Sequence, residues 1–272
     1  MEKWFCETCG TQFPARETPP QECPICRDER QYVGYQGQKW TTLAALREKG
    51  FQNIQQEHES HLIGIGTKPS FAIGQRALLI QTEQGNILWD CISLLDDETV
   101  AAIQDLGGLT AIAISHPHYY SGMVEWAERF NVPIYLHEAD RQWVMRPSEH
   151  IIFWSGETRP LNDEVMLVRL GGHFAGGTVL HWKSGAEGKG VLLTGDIIQV
   201  VADRNWLSFM FSYPNLIPLP ASTVQRIRTA IEPYQFDRIY GAWFDRIVAH
   251  DAKNAVLRSA DRYIRALEGR IG

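Results

Sequence analysis

The sequence predicts a mixed α/β protein, of the α+β kind, that begins with a small cysteine-rich module. Two Cys-x-x-Cys pairs fall within residues 1–34, and from Leu62 onwards short apolar runs alternate with helix-like segments. Histidine or aspartate follows four of these runs. In open α/β sheets, the carboxyl ends of strands are where ligand sites form. We therefore expect a module at 1–34, a linker with a short helix at 35–60, and a ligand-binding domain at 61–272.

The composition is that of an ordinary globular chain, and it narrows the range of partners. Hydrophobic residues make up 44% and charged residues 21% of the 272 positions, and the formal net charge is -6. An acidic balance argues against nucleic acid, because phosphate binding needs a basic face. No 18-residue apolar run and no apolar signal core are present. We expect a cytoplasmic protein that does not bind a membrane.

Residues 1–34 carry the pattern of a four-cysteine zinc site. Cys6-x-x-Cys9 is followed, after thirteen residues, by Cys23-x-x-Cys26. Two such pairs complete a tetrahedral thiolate site, which suits Zn²⁺, and Gly10 allows the positive φ of the first turn. Two disulfides, a redox-active pair and a rubredoxin-like iron site are the alternatives. The cysteine usage favours a reduced protein, and the spacing resembles zinc ribbons and rubredoxin knuckles. We expect a structural Zn²⁺ there.

The elements after the module follow from local signals. Thr41 or Thr42 can cap a short helix that Gly50 ends, and Asp96 or Asp97 can cap a second helix. Turn residues separate a meander of short strands between 62 and 89. The expected elements beyond it are strands at 109–115, 134–137, 165–170, 178–183, 190–193 and 236–240, and helices at 121–130, 138–145, 221–232 and 252–267.

Candidate metal ligands follow the strands. His116 and His118, at i and i+2 in an extended chain, point to the same side. His173 follows Gly171-Gly172, and Asp196 follows Thr194-Gly195. Three neutral imidazoles and one carboxylate make a suitable set for Zn²⁺, which lowers the pKa of bound water towards about 7. Asp90, after another strand, is expected to organise the neighbouring loops.

This order of motifs resembles the metallo-β-lactamase superfamily over roughly residues 60–268. The family pattern is an Asp after an early strand, His-x-His-x-Asp-His, a Gly-His, a Gly-Asp and a final Gly-His. The matches are Asp90, His116 with His118, His173 and Asp196. The resemblance implies an αββα sandwich with a metal site along one edge.

The departures from this pattern concern the family's second metal. Tyr120 and Ser121 stand where the family has Asp and His, and Ala242 stands where the final His is expected. The histidines of the first metal and the bridging Asp196 are kept. The resemblance therefore implies a mononuclear site, occupied by Zn²⁺ or another divalent metal such as Fe²⁺ or Mn²⁺.

Asp196 and Tyr120 are the residues that we assign to catalysis. Asp196 either binds the metal or positions a ligand histidine. Tyr120 either donates a hydrogen bond to a developing oxyanion or only fills the space of the second metal. The segment 203–220, rich in aromatic residues and Met, is either a lid or pocket wall for an apolar substrate or a dimer contact.

Two functional hypotheses result from these residues. The preferred one is a hydrolase in which a metal-bound hydroxide attacks an ester, thioester or lactone-type carbonyl of a small molecule. Phosphodiester cleavage is disfavoured, because it generally profits from two metals. The alternative is a non-catalytic metal-binding scaffold or sensor whose zinc ribbon binds a partner.

Overall fold

The computed structural model describes residues 1–270, and it confirms a mixed α/β fold. The chain divides into two compact units, Met1–Trp154 and the remainder from Ser155. Each unit has one large sheet and its own helices, which is the composition that an αββα fold requires. The division into residues 1–34, 35–60 and 61–272 stays a prediction.

The first unit contains ten strands and four α-helices. The strands are β1 (Glu2–Cys6), β2 (Gln12–Arg16), β3 (Trp40–Thr42), β4 (Gln52–Glu59), β5 (Leu62–Lys68), β6 (Ala77–Thr82), β7 (Gly85–Trp89), β8 (Ala111–Ala113), β9 (Ile134–His137) and β10 (Ile151–Trp154). The helices are α1 (Pro24–Arg27), α2 (Leu43–Glu48), α3 (Asp97–Asp105) and α4 (Met123–Phe130), with 3-10 turns at Pro117–Tyr119 and Glu138–Trp143.

Two sheets organise this unit. The small one has the order β2-β1-β3 and belongs to the cysteine module, and the large one has the order β10-β9-β8-β7-β6-β5-β4. The strands from β4 to β7 form an antiparallel meander, while β7, β8, β9 and β10 run parallel. Parallel neighbours present their carboxyl ends at the same edge, so the residues after β7 and β8 lie side by side.

The second unit contains a six-stranded sheet and two helices. The strands of this unit are β11 (Thr158–Pro160), β12 (Val165–Arg169), β13 (Thr178–Trp182), β14 (Val191–Gly195), β15 (Gln199–Val200), β16 (Leu207–Ser208), β17 (Met210–Ser212), β18 (Ile217–Pro218), β19 (Arg238–Gly241) and β20 (Ile247–Val248). The pairs β15-β16 and β17-β18 form two small sheets of their own. The order of the six-stranded sheet is β11-β12-β13-β14-β19-β20. Helices α5 (Ala221–Ile231) and α6 (Ala252–Leu267) bury Val224, Ile227 and Val256 in a core with sheet residues such as Leu192 and Ile239.

Several predicted elements differ in detail from the observed ones. Residues 52–59, within the predicted linker, form the edge strand β4, because one polar strand face can stay in solvent. The expected helix at 138–145 is a 3-10 segment, Glu138–Trp143. Residues 71–74 form a turn rather than a strand, since Ala72 and Gly74 both take positive φ. Among residues 1–270, none of the helices has the length and apolarity needed to cross a bilayer.

Candidate metal centres

The four module cysteines form a compact sulfur cluster. Cys6 Sγ lies 3.6 Å from Cys26 Sγ, and Cys9 Sγ lies 3.7 Å from Cys23 Sγ. A disulfide would require about 2.05 Å, so none of the four is cross-linked. Four sulfurs at about 2.3 Å from a tetrahedral Zn²⁺ would be roughly 3.8 Å apart. The cluster therefore fits a Zn²⁺ ion or a metal of similar size.

The sulfur cluster is enclosed by apolar side chains and hydrogen-bond donors. All four cysteines are buried, and Phe13, Ile25 and Trp40 pack around them. The Gln38 side-chain amide donates to Cys6 Sγ at 3.1 Å, and the Thr11 hydroxyl lies 3.4 Å from Cys9 Sγ. Full burial of all four sulfur ligands is the arrangement expected of a closed metal site.

The ionisation of each thiol in the cluster depends on its neighbours. Hydrogen bonding with Cys23 and Cys26 lowers the pKa of Cys6. Hydrogen bonding with Cys23 and Cys6, together with burial, raises the pKa of Cys26. Several thiolates in so small a buried volume repel one another. A bound cation would remove that repulsion, so the four cysteines behave as a metal-ligand set.

A second group that could hold a metal consists of three histidines. The ligand atoms of His116, His118 and His173 all lie within 4.8 Å of one another, and all three residues are buried. The His116 and His118 rings lie edge to face, with centroids 5.2 Å apart. Neutral imidazole is the commonest metal ligand, so three imidazoles grouped in this way could hold a metal ion.

Hydrogen bonds fix the orientation of His116. The Ser115 hydroxyl donates to Asp90 Oδ1 at 2.7 Å, and the Ser115 amide donates to the same oxygen at 2.7 Å. Ser115 Oγ lies 3.0 Å from His116 Nδ1. Because the hydroxyl proton already points to the carboxylate, Oγ accepts the Nδ1 proton. This tautomer puts the lone pair of His116 on Nε2, where it can bind a metal.

His173 is fixed by a backbone carbonyl. His173 Nδ1 donates to the Phe211 carbonyl at 2.8 Å, since a carbonyl can only accept, and the lone pair of the ring therefore lies on Nε2. Tyr213 is a ring neighbour of His173 at 5.6 Å between centroids, and its hydroxyl donates to the Asp196 carbonyl. Burial, followed by the Asp196 charge, raises the pKa of Tyr213 well above its usual value. The segment 203–220 thus contacts both His173 and Asp196.

The strands deliver the predicted residues to their carboxyl ends. Asp90 directly follows β7, the histidine pair follows β8, and Asp196 directly follows β14. Asp196 is buried. Its roles as a metal ligand and in catalysis stay predictions, as does the catalytic role of Tyr120.

Tyr120 is buried, and with Thr11, Gln12 and Arg146 it lines a small pocket in the first unit. Burial, followed by the negative charge of Asp140, raises the pKa of Tyr120 well above its usual value. The phenol is therefore neutral at physiological pH. A neutral phenol can donate a hydrogen bond.

The sequence did not indicate the hydrogen-bond roles of three residues around the histidines, although two of them belong to the predicted segment 203–220. Ser115, Phe211 and Tyr213 hold the ligand side chains or their neighbours through hydrogen bonds. The position of Ser115 directly before His116 is a usable signal for a side-chain contact. Phe211 acts through its carbonyl, so its residue type carries no information about the contact.

Two sheet-bearing units, a sulfur cluster and a histidine group that follows the strand ends define an α/β protein built around metal-ligating side chains. The chain belongs to the metallo-β-lactamase superfamily, whose sequence profile matches residues 72–243. It is 57% identical over 272 residues to the uncharacterized protein YmaE of Bacillus subtilis (strain 168), and the match covers 100% of this chain and 99% of that one.

Solved metallo-β-lactamases share the fold. TMB-1 matches with a TM-score of 0.60 at 13% identity, over 77% of this chain and 97% of its own. FIM-1 from Pseudomonas aeruginosa, in its mono-zinc form, matches with a TM-score of 0.57 at 13% identity, over 78% of this chain and 96% of its own. At this identity the likeness establishes the fold and nothing finer.

Proposed function

We propose that this protein is a metal-dependent hydrolase with one metal at the histidine group, and that it cleaves an ester, thioester or lactone-type carbonyl of a small molecule. The observation that carries the proposal is the grouping of three buried imidazoles whose ligand atoms lie within 4.8 Å of one another. Superfamily membership supports it, because hydrolysis is common in this family.

The protein groups would perform two tasks at this site. His116, His118 and His173 would hold the metal, and Asp196 would complete the set or orient a histidine. The Asp90–Ser115 pair and the Phe211 carbonyl keep two imidazoles in the tautomer that presents Nε2. A bound divalent cation would polarise the scissile carbonyl and make water a better nucleophile near neutral pH. Tyr120, a neutral phenol, would donate a hydrogen bond to developing negative charge.

The residues that stand in the family's second-metal positions support a single metal. Tyr120 and Ser121 are both buried, and neither is an ordinary ligand at neutral pH. Ala242, directly after β19, offers no ligand atom in its side chain. FIM-1 has been solved in a mono-zinc form, so this fold accommodates one zinc. Phosphodiester cleavage is less suited to a one-metal site, because it generally uses two metals.

The segment 203–220 would serve as a wall of the substrate pocket. Its contacts with His173 and Asp196 support this role. The β17–β18 hairpin exposes Leu216 and Ile217, which supports a second role as a homodimer contact. We further propose that the protein acts in the cytoplasm, where its cysteines stay reduced, and that the four-cysteine site holds Zn²⁺ while the histidine site holds Zn²⁺, Fe²⁺ or Mn²⁺.

A non-catalytic scaffold is the second candidate, and one observation favours it. Tyr120 lines a pocket whose other walls include Thr11 and Gln12 of the cysteine module. In that setting the phenol can be a packing residue that fills space, and the module can be the part that binds a partner.

Hydrolysis assays on variants test the proposal. The wild-type protein, loaded with Zn²⁺, Mn²⁺ or Fe²⁺, is offered a panel of acyl esters, thioesters and lactones. We expect turnover of at least one class and a loss of at least about 100-fold in kcat/KM for His173→Ala, since the variant lacks a metal ligand.

His181→Ala is the matched control. His181 is partly exposed, and its Nε2 bonds to the Gln235 carbonyl outside the histidine group. The control should keep its activity. No turnover of any class by fully loaded wild-type protein would reject the hydrolase and favour the scaffold.

A further inference from the structure

The first cysteine turn contacts the loop that carries the histidine pair. We call residues 6–12 the knuckle and residues 115–122 the histidine loop. The Gln12 amide donates to the Ser121 carbonyl at 3.0 Å, and the Ser93 hydroxyl donates to the Gly10 carbonyl at 2.8 Å. The knuckle therefore bonds directly to the residue three positions after His118.

Ser93 lies against both segments. A Cβ at Gly10 would lie 2.5 Å from Ser93 Oγ and 3.6 Å from Ser121 Oγ. A Cβ at Gly122 would lie 2.9 Å from the Ser93 carbonyl oxygen. Gly10 therefore packs against the Ser93 side chain and Gly122 against the Ser93 backbone, with no space for a side chain at either glycine. A displacement of the knuckle would press on Ser93 and, through it, on the histidine loop.

Ser121 holds a backbone conformation that needs external support. Its φ is +38°, in the region that side-chain-bearing residues avoid. The Gln75 side-chain amide bonds to Ser121 Oγ at 2.8 Å, in addition to the Gln12 amide at the Ser121 carbonyl. Such conformations persist where the surroundings over-determine them. Removing the knuckle contact would release one of these two restraints.

A second set of contacts ties the module to the helix that follows the loop. Glu125, in the first turn of α4, accepts from Gln12 Nε2 at 3.0 Å and from Lys3 Nζ at 2.8 Å. Arg146, whose side chain is only 10% exposed, bonds to Glu125 at 2.9 Å and to the Gln12 side-chain oxygen. Burial raises the pKa of Glu125, but the hydrogen bonds from Lys3 and Gln12, with the Lys3 and Arg146 charges, outweigh it and lower this pKa.

The conformation of the knuckle depends on the sulfur cluster. The Cys6 amide bonds to the Thr11 carbonyl at 3.0 Å, and the Gly10 amide bonds to the Cys6 carbonyl at 2.8 Å. Sulfur contacts of 3.6 and 3.7 Å join Cys6 to Cys26 and Cys9 to Cys23. In so small a module, metal-binding free energy is folding free energy. A metal on the four sulfurs would thus order the knuckle.

We propose that the four-cysteine site positions the histidine loop, so that a metal at the four-cysteine site raises the affinity of the histidine site for its own metal. The metal orders the knuckle, the knuckle holds Ser121, Gly122 and α4, and these fix His118 three residues before. Binding free energies are coupled reciprocally, so the histidine metal would tighten the four-cysteine site by the same factor. The effect on affinity rests on the proposed function; the ordering of the loop does not.

Amide hydrogen exchange on the full chain tests the ordering. Cys26→Ser breaks the sulfur set at a residue outside the knuckle. We expect the backbone amides within the 117–123 segment, in which Pro117 has none, to exchange at least about tenfold faster in this variant than in zinc-loaded wild type, because the opening free energy of the loop falls. Strands β12 to β14 serve as the internal reference and should not change. Loss of protection in 6–12 with unchanged exchange in 117–123 would overturn the proposal.

Gly10→Ala separates docking from metal loss. Its Cβ collides with Ser93 Oγ, while all four cysteines remain. We expect the same faster exchange in 117–123 with the metal of the four-cysteine site retained. Gly37→Ala is the matched control, because Gly37 has a similar φ of +74° and no atom within 4 Å of an added Cβ. If Cys26→Ser unfolds the whole chain, the comparison of Gly10→Ala with Gly37→Ala is sufficient to test whether the knuckle orders the histidine loop.

Mn²⁺ titration followed by electron paramagnetic resonance tests the affinity. Mn²⁺ avoids thiolates, so it reports on the histidine site. We expect about tenfold weaker binding in Cys26→Ser and Gly10→Ala than in wild type. Equal affinities in all three proteins would reject the coupling and leave the hydrolase proposal intact. If the histidines of wild type bind neither Mn²⁺ nor Zn²⁺, the hydrolase proposal is rejected. The hydrogen-exchange experiment would still test whether the knuckle orders the histidine loop.

Discussion

Ser115 shows how one small side chain can define a metal ligand. Its hydroxyl joins the Asp90 carboxylate to His116 Nδ1, and its amide bonds to the same carboxylate. Asp90 itself takes a left-handed φ of +58° directly after β7. The Asp90 carboxylate therefore acts on His116 indirectly, through the Ser115 hydroxyl, and fixes one tautomer of the imidazole.

Ser115→Ala should weaken metal binding at the histidine site by about 10- to 100-fold, which is the usual effect of losing a hydrogen bond to a ligand imidazole. Competition titration with Zn²⁺ measures the change. Ser148→Ala is a matched control, because the Ser148 hydroxyl accepts from the His150 amide, away from the histidine group. An unchanged affinity in Ser115→Ala would show that the ring is held by packing alone.

His58 provides a pH-dependent contribution to stability. Burial, followed by the charge of Arg76, lowers its pKa from 6.5 to about 4. Between these values the unfolded chain binds a proton that the folded chain does not, so the free energy of unfolding rises with pH. The contribution is fully present above pH 6.5 and is lost as the pH falls towards 4.

Replacing His58 tests this assignment. The drop in the free energy of unfolding between about pH 7 and about pH 5, measured by urea denaturation, should be smaller in His58→Gln than in wild type. His250→Gln should retain the wild-type drop, because the His250 side chain is 78% exposed. If the free energy of unfolding of His58→Gln falls as much as that of wild type over this pH range, the pH dependence belongs to other groups.

At the scale of elements, α3 is tied to the edge of the large sheet through its cap. Asp96 Oδ1 accepts from the Thr99 amide at 2.8 Å, and its Oδ2 accepts from the Asn53 amide of β4 at 3.0 Å. The sequence leaves Asp96 and Asp97 as alternative caps, and the structure selects Asp96. One carboxylate thus begins a helix and anchors a polar edge strand.

Asp96→Ala should lower the free energy of unfolding by about 1–2 kcal/mol, since it removes a helix cap and a second hydrogen bond. Asp97→Ala, at an exposed position in the first helical turn, should change it by less than about 0.5 kcal/mol. Urea denaturation of both variants measures the difference. Equal effects would mean that the cap contributes nothing specific.

The sequence predicts elements best where local chemistry decides them. The Cys-x-x-Cys pairs, the capped helix α2 and the hairpin strands β6 and β7 follow from spacing, caps and turn residues. The edge strand β4 falls within the predicted linker, because its residues are polar and only pairing with β5 makes it a strand. The 3-10 segment at 138–143 carries a helical pattern, so its final form depends on tertiary contacts.

For the molecule as a whole, the sequence predicts the metal-ligand residues of the candidate sites better than it predicts the hydrogen bonds that hold those residues in place. The four cysteines and three histidines can be named from motifs, and both groups are close enough to hold a metal. The hydrogen bonds of Ser115, Phe211 and the knuckle include contacts between residues far apart in sequence. No local pattern records such contacts, which depend on how the strands bring the loops together.

We propose that the chain holds two metals, one structural and one at the histidines. Elemental analysis of purified wild type, His116→Ala and Cys9→Ser measures the metal content per chain. We expect about two metals in wild type and about one in each variant, with the four thiols of His116→Ala still protected from alkylation. One metal in wild type, unchanged in His116→Ala, would show that the histidines hold none.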